Sequence, residues 1–235
     1  NKYLDSGNEA RIKKAYESRD PRLQMAVITP YAQYNGASSG IAHTYTLRWP
    51  YRGSDSAEPF DIRTDTNDKF YYLWRKFVPE GLEQTERDTY GLDIPLIRYA
   101  EVLLLKAEAL NEWGSTHESE AIRCVNEVRR RAGHVELNNA TYPATKVNGQ
   151  SDLRERIRNE YYWEIGGEDS MYFHELRWGT WKDKKFDNNR NGLMQMWGET
   201  TYTWYWLGDQ CWSWPIPAKE MEMNSNLEQN EGWIN

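Results

Sequence analysis

Between Pro95 and Gly133 the apolar residues recur at helical spacing. Ala100, Leu103, Leu104, Ala107 and Leu110 fall at i, i+3, i+4 intervals, which puts them on one stripe of a helix. Gly114-Ser115 interrupts the pattern, and a second stripe follows through Ala121, Val125, Val128 and Ala132. The spacing predicts two helices folded back on each other, with Ala100, Ala107 and Ala121 small enough to let the backbones approach. A pair of this length matches the unit of tetratricopeptide arrays, about 34 residues each. Such a pair cannot bury its apolar face alone and stacks on neighbours. It reads as scaffold, with function located elsewhere.

The rest of the chain is less periodic. Residues 8–18 predict a short helix with Ala10, Ile12 or Lys13, and Tyr16 on one face, ended by Asp20-Pro21 because the residue before proline resists helix. Residues 24–31 read as extended. From Tyr31 to Phe60 no period is sustained and Gly, Ser, Pro and Asn are common, which predicts a long loop region carrying Tyr31, Tyr34, Tyr45, Trp49 and Tyr51. Lys69–Val78 is aromatic and basic, and 135–150 reads as loop. Asp152 with Glu155 three residues on predicts a helix start. That helix runs to about Ile165, with Leu153, Ile157, Tyr161 and Glu164 or Ile165 on one side, and Gly166-Gly167 stops it. Another helix is expected from about Asp169 to Trp178-Gly179. Residues 180–198 are polar and Asn-rich, hence loop. Thr200–Pro217 alternates, with Tyr202, Trp204 and Trp206 on one side, Trp212 and Trp214 following, and turn chemistry at Leu207-Gly208-Asp209-Gln210. This predicts a two-stranded hairpin with aromatic ladders.

Taken together, the fold class is mainly α: helix pairs plus long loops and a small β-hairpin. The chain divides into a loop-rich segment 1–94, a helical scaffold 95–179, and a loop, hairpin and tail 180–235. With 235 residues it fits one domain or two tightly joined ones.

Composition adds a chemical bias. Mean hydropathy is low, at -0.93, yet 14% of residues are aromatic, and the excess is 12 Trp and 16 Tyr against 5 Phe. These side chains join a flat apolar body to a polar tip. A ring of that kind stacks on the C–H face of a sugar while its tip bonds hydroxyls. The competing reading is packing between helices and loops, since large aromatics are mostly buried. The net charge of -7 argues against nucleic acid, which needs an excess of Lys and Arg on one face. The basic run Arg129-Arg130-Arg131 at a helix end has a structural reading. Cys124 and Cys211 make no disulfide framework, and Cys124 reads as a small apolar residue. No segment approaches the ~20 apolar residues of a membrane span.

Several motifs resemble one family. Arg98-Tyr99-Ala100-Glu101, the Leu-rich stretch after it and Ala107-Glu108-Ala109-Leu110-Asn111-Glu112 are similar to the hallmark helix of SusD/RagB proteins, the surface glycan-binding lipoproteins of Bacteroidetes. Asn126-Glu127-Val128-Arg129 with Arg131-Ala132-Gly133 continues the likeness. So do Asp20-Pro21-Arg22-Leu23 and the tail residues Pro215-Ile216-Pro217, Glu220, Asn224, Gln229-Asn230 and Gly232-Trp233. Family members are usually about twice this length, so the chain resembles their C-terminal half. The resemblance implies a SusD-like scaffold of tetratricopeptide-like helix pairs. It also implies an outer-membrane, cell-surface location with an export signal and a lipidated cysteine upstream, and binding without turnover. The implied partners are an oligosaccharide or polysaccharide and a TonB-dependent transporter of the SusC type. One departure stands out: where the family tends to carry an arginine and an aspartate, this chain has Met171 and His174. Losing both ends of an ion pair together leaves neither charge unpaired, which predicts a repacked scaffold.

No nucleophile motif or phosphate loop is present, and the four histidines are scattered without metal-ligand spacing. No catalytic residue, metal or cofactor is expected. Glu164, Glu168 and Asp169, or Glu58 and Asp61, supply the carboxylates that a glycoside hydrolase would need, a remote alternative. The first candidate ligand site is the aromatic loop, with Tyr34, Tyr45, Trp49 and Tyr51 as stacking rings and Arg48, Arg52 and Asn35 as hydroxyl partners. The second is Trp204, Trp206 and Trp212. The alternative function is a helical interaction module that docks on the transporter, with the ligand, a peptide or glycoprotein among the options, held mainly by a missing N-terminal half.

Overall fold

The computed structural model describes residues 8–38, 40–48, 61–63, 73–81, 93–168, 170–186 and 205–233. It divides into two compact units, residues 1–171 and 172–235, and the division falls within one short helix.

The first unit is built on three helices. α3 (Tyr99–Trp113) and α4 (Glu118–Arg131) form the expected hairpin, and α5 (Gln150–Ile165) packs on both. Their shared core is Leu103, Leu104, Ala107 and Leu110 from α3, Ala121, Val125 and Val128 from α4, and Leu153, Ile157, Tyr161 and Ile165 from α5. These are the residues the periodicity placed inward. Cys124 is a buried free thiol among them. Side-chain amides fix the connections. Asn111 Nδ2 donates to the Gln150 carbonyl (3.2 Å) and Gln150 Nε2 donates to the Asn111 carbonyl (2.7 Å), which ties the end of α3 to the start of α5. Asn126 is bonded both ways to the backbone of Leu137, at 2.7 and 3.2 Å, and pins the loop after α4. Asp152 sits inside α5 rather than capping it. Its carboxylate accepts from Asn148 N–H (2.9 Å) and Arg156 (2.9 Å), and Gly149 takes the cap position.

Before this scaffold come α1 (Asn8–Glu17), as expected, and α2 (Pro21–Ala26). Residues 24–31 are therefore only partly extended. Asp20 accepts the Arg22 N–H at 2.9 Å and Pro21 takes the first helical position, so the same Asp-Pro that ends one helix starts the next. β1 (Val27–Ile28) pairs antiparallel with β5 (Leu73–Trp74).

The larger correction concerns residues 31–60. β2 (Gln33–Ser38) and β3 (Ile41–Arg48) form an antiparallel hairpin, and β4 (Asp61–Arg63) adds in parallel to β3. Ile28, Tyr34 and Leu47 make its small core, with Ala32 and Tyr45 against it. A positive φ of 76° at Gly40 serves the turn. The pattern was invisible in sequence because inward positions are filled by residues such as Gly36 and Tyr34 rather than by alternating aliphatics.

In the second unit, α6 (Ser170–Arg177) is continued by a short α7 (Trp181–Lys185), where loop was expected. Described residues 205–217 form no strand. Asp209–Trp212 is a single 3₁₀ turn and its flanks are irregular. A small hairpin lies at 33–48; of the one expected at 200–217, residues 200–204 lie outside the described residues. α8 (Ala218–Met223) and a tail follow. The tail motif has a physical role: the Gln229 amide bonds both backbone groups of Ile216, at 2.7 and 3.0 Å, and Asn230 Nδ2 donates to the Trp214 carbonyl at 2.6 Å.

Candidate functional site

A buried ion network holds α2 against the helical scaffold. Glu160 has no exposed side-chain surface and bridges two arginines. Arg22 Nη1 donates to its Oε1 and Arg129 Nε to its Oε2, both at 2.7 Å. One turn on, Glu164 receives Arg22 (3.1 Å), Arg98 (2.9 Å) and Arg131. Glu168 receives Arg98 through two bonds (2.9 and 2.7 Å) and Lys76 (2.5 Å). Asp20 grips the remaining edge of Arg22 at 3.0 and 2.7 Å. Burial pushes the carboxyls of Asp20, Glu164 and Glu168 upward, but hydrogen bonds from Arg22, Arg98 and Lys76 outweigh it and hold all three below the usual carboxylate range. Glu164 and Glu168 are consequently fixed as anions, which suits them to clamping cations and not to donating a proton in glycoside hydrolysis. Asp169 and Glu58 lie outside the described residues, and Asp61 starts β4. The Arg129-Arg130-Arg131 run divides into three roles: Arg129 is buried on Glu160, Arg130 is exposed and paired with Glu136 at 2.9 Å, and Arg131 reaches Glu164.

An open cleft of about 710 Å³ runs between α1, α2 and the β2–β3 hairpin. Tyr16 and Tyr31 supply rings to its wall, and Gln24, Gln33 and Asn35 supply amides. Arg75 lines it as well, held by Glu80 at 2.5 Å and reaching the Gln33 carbonyl at 3.4 Å. Tyr31 is the unusual residue. Its N–H donates to the Leu47 carbonyl (2.6 Å), while Leu47 N–H donates to the Ala32 carbonyl (3.0 Å). Two residues therefore oppose one, the arrangement of a β-bulge, which re-aims side chains. Tyr31 adopts φ 64°, a left-handed conformation that costs a non-glycine residue about 1–2 kcal/mol.

Of the first candidate set, Asn35 lines this cleft and accepts from Thr44 Oγ1 at 3.2 Å. Tyr34 is buried, and its hydroxyl donates to the Pro79 carbonyl at 2.9 Å, so it serves the core of the sheet. Tyr45 is half-buried, opposite Tyr34 in the register, and meets His43 edge-on at 6.3 Å. Arg48 ends β3 opposite Arg63. Trp49, Tyr51 and Arg52 lie outside the described residues, as does Trp204. Tyr31, Tyr16, Gln24 and Gln33 were not singled out as ligand groups. Tyr31 stood in the aromatic loop, but its backbone strain has no sequence signal.

In the second unit, Trp206 and Trp212 belong to a chain of rings. Trp181 meets Tyr172 (4.9 Å) and Phe186 (5.8 Å), Phe186 meets Trp206 (5.2 Å), and Trp206 meets Trp212 (5.0 Å). Trp206 also donates to Asp209 (3.2 Å) and lies under Lys182 (5.4 Å). Both half-buried tryptophans are thus engaged in packing, while Tyr205 and Trp214 are about 70% exposed, at 70% and 71%. The departure at Met171 and His174 leaves both residues buried, with His174 Nδ1 3.1 Å from Arg177. Among the described residues no three His, Cys, Asp or Glu side chains gather as metal ligands, and no helix is long and apolar enough to cross a membrane.

Comparison with known proteins agrees with this architecture. The profile of the SusD family matches residues 3–233. SusD-like protein P38 of Formosa agariphila is 32% identical over 139 residues, 59% of this chain and 24% of that protein. The starch-binding protein SusD of Bacteroides thetaiotaomicron is 28% identical over 161 residues, 68% of this chain and 25% of that protein. Among solved structures, a SusD-like protein from Bacteroides fragilis superposes with a TM-score of 0.62 at 22% identity, over 94% of this chain and 40% of the other. A SusD homologue from Bacteroides thetaiotaomicron gives 0.54 at 22% identity, over 96% and 43%. The matched region spans about a quarter of the length of these curated relatives.

Proposed function

The chain belongs to the SusD family, and from that membership we propose that it binds a glycan at the cell surface, in the cleft walled by Tyr16, Tyr31 and Asn35. The observation that carries the reading is Tyr31. A bulky residue is held in a left-handed bulge in the wall of the open cleft, a position where glycine would cost less. Strain of this kind is retained where the side chain has a task. Two phenol rings among side-chain amides suit a pyranose: the rings cover its C–H face and the amides pair with hydroxyls in both directions. The name of one relative, a starch-binding protein, points the same way.

The binding is non-catalytic. The sugar passes to a TonB-dependent transporter of the SusC type, and the protein is held at the outer membrane by a lipid anchor. Trp49, Tyr51 and Arg52, which lie outside the described residues, remain candidate ligand groups, and Trp204 with Trp206 and Trp212 remains the second candidate surface.

A second reading, a helical module that docks on the transporter, is favoured by one observation. Tyr99, Val102, Leu105 and Trp113 of α3, with Leu96 and Ile97 before it, expose an apolar face.

Calorimetric titration of this chain with a panel of neutral oligosaccharides tests the first reading. It expects saturable heat with at least one of them, and loss of that heat in Tyr31→Gly and Asn35→Ala variants. Unchanged binding in both variants favours the docking reading.

A further inference from the structure

We propose that a second cavity in the first unit, walled by Arg22, Lys76, Phe77, Arg98, Arg131 and Trp163, receives the carboxylate of an acidic sugar residue. The cavity measures about 300 Å³, at the small end of the roughly 300–1,000 Å³ typical of ligand pockets, a size suited to one sugar ring. Four cations face it against a single carboxylate, Glu164. Glu164 is already divided among Arg22, Arg98 and Arg131. With the carboxylates behind the wall included (Asp20, Glu160 and Glu168), the network sets five cations, Arg129 among them, against four anions, and the one charge in excess lies at the exposed end, on Arg131. Glu127 lines the adjoining depression beside Arg98 and Arg131, not this cavity.

Arg131 is the receiving group. Its one hydrogen bond among the described residues runs from Nη2 to Glu164, and its side chain is 58% exposed. A guanidinium carries five N–H donors in a planar fork, so Arg131 retains donors that can take a carboxylate side-on. Arg98, by contrast, has already committed Nε, Nη1 and Nη2 to Glu164 and Glu168. Two rings complete the wall. Trp163 is 43% exposed, and Phe77 is set by a left-handed backbone at φ 63°, a second strained aromatic at a cavity. A ring beside a charge fork is the pairing that recognises a uronic acid, with stacking for the pyranose and ions for its carboxylate.

This cavity is distinct from the cleft. Gln24 and Arg75 line the cleft, whereas their neighbours Met25, Ala26 and Lys76 line the cavity. The choice of a sugar acid rests on the glycan reading, and the charge of the cavity does not.

The test is calorimetry of this chain with trigalacturonate, maltotriose and acetate, on the wild type and on Arg131→Gln and Arg131→Lys. Glu164 keeps Arg22 and Arg98 in both variants, and circular dichroism checks their fold. The expected result is trigalacturonate binding that weakens about tenfold or more in Arg131→Gln and less in Arg131→Lys, as loss of a charged pair implies. Equal trigalacturonate affinity in wild type and Arg131→Gln overturns the inference, as does acetate binding as tightly as the trisaccharide. Maltotriose binding without trigalacturonate binding overturns this inference alone. Trigalacturonate binding lost in Arg131→Gln, with no neutral sugar bound, supports it while overturning the cleft reading.

Discussion

Replacing Glu160 by alanine isolates the contribution of the ion network to folding. Its side chain is fully enclosed, and the two arginines it joins are 4% and 9% exposed at the side chain. Removing the carboxylate leaves Arg129 without its anion, and leaves the Nη1 of Arg22 with Glu164 alone. Breaking one end of a buried ion pair costs about 3–5 kcal/mol, because the stranded charge stays desolvated. For a chain of this length each kcal/mol lowers Tm by about 2–4 °C, so the expected drop is roughly 6–20 °C. Thermal unfolding followed by tryptophan fluorescence measures the drop and urea unfolding the free energy, with Glu160→Gln as a control that keeps shape and removes charge. Arg130→Ala, which breaks an exposed pair with Glu136, serves as the contrast and is expected to leave the midpoint unchanged. A loss below about 1 kcal/mol for Glu160→Ala would mean that α2 is held by apolar packing and that the network is incidental.

Two further perturbations follow from local geometry. Asp20, Glu164 and Glu168 are held below the usual carboxylate range, so the stability they supply is full above that range and is lost as pH falls through it toward their native values. His134 is lowered too, chiefly by burial, so protonation favours the unfolded chain and its share of the loss begins below about pH 6.5. Urea midpoints measured across pH should therefore fall in two stages, and His134→Gln should remove the earlier one while sparing the later. Gly167→Ala should destabilise by about 1–2 kcal/mol, since φ is 83° there and the new Cβ would stand 2.6 Å from the Trp74 ring. An unchanged melting temperature would show that the Gly166-Gly167 turn can rearrange.

The helices were legible because their inward residues repeat at the helical period and are apolar. Leu103, Val125 and Ile157 could be placed on buried faces from spacing alone. The ion network was not legible. Arg22, Arg129 and Glu160 are far apart in sequence, and a buried charge looks like a surface charge until its partner is known. The β2–β3 hairpin was hidden because its core draws on Tyr34 and Leu47, with glycine, serine and asparagine in its strands. The aromatic alternation at 202–214 was read as a ladder, yet in its described part Trp206 and Trp212 meet at a tilt of 58° across a 3₁₀ turn, because alternation in sequence does not distinguish a strand from a turn that brings two rings together. Of the candidate ligand residues, Asn35 reached the cleft and Tyr34 did not. Alternate residues of a strand face opposite sides, and a reading of the segment as loop could not tell them apart.

Binding and folding separate at Tyr31. Glycine at that position relieves about 1–2 kcal/mol of left-handed strain, offset by about 0.5–1 kcal/mol of chain entropy and by loss of a half-buried ring, so stability should change little. A ring face on a sugar covers on the order of 50 Å² of apolar surface, about 1.3 kcal/mol, or close to tenfold in affinity. Calorimetry of wild type and Tyr31→Gly against the best-bound neutral oligosaccharide should therefore give about a tenfold loss of affinity at an unchanged melting temperature. Equal affinity in the two proteins would contradict a glycan-binding cleft at this bulge.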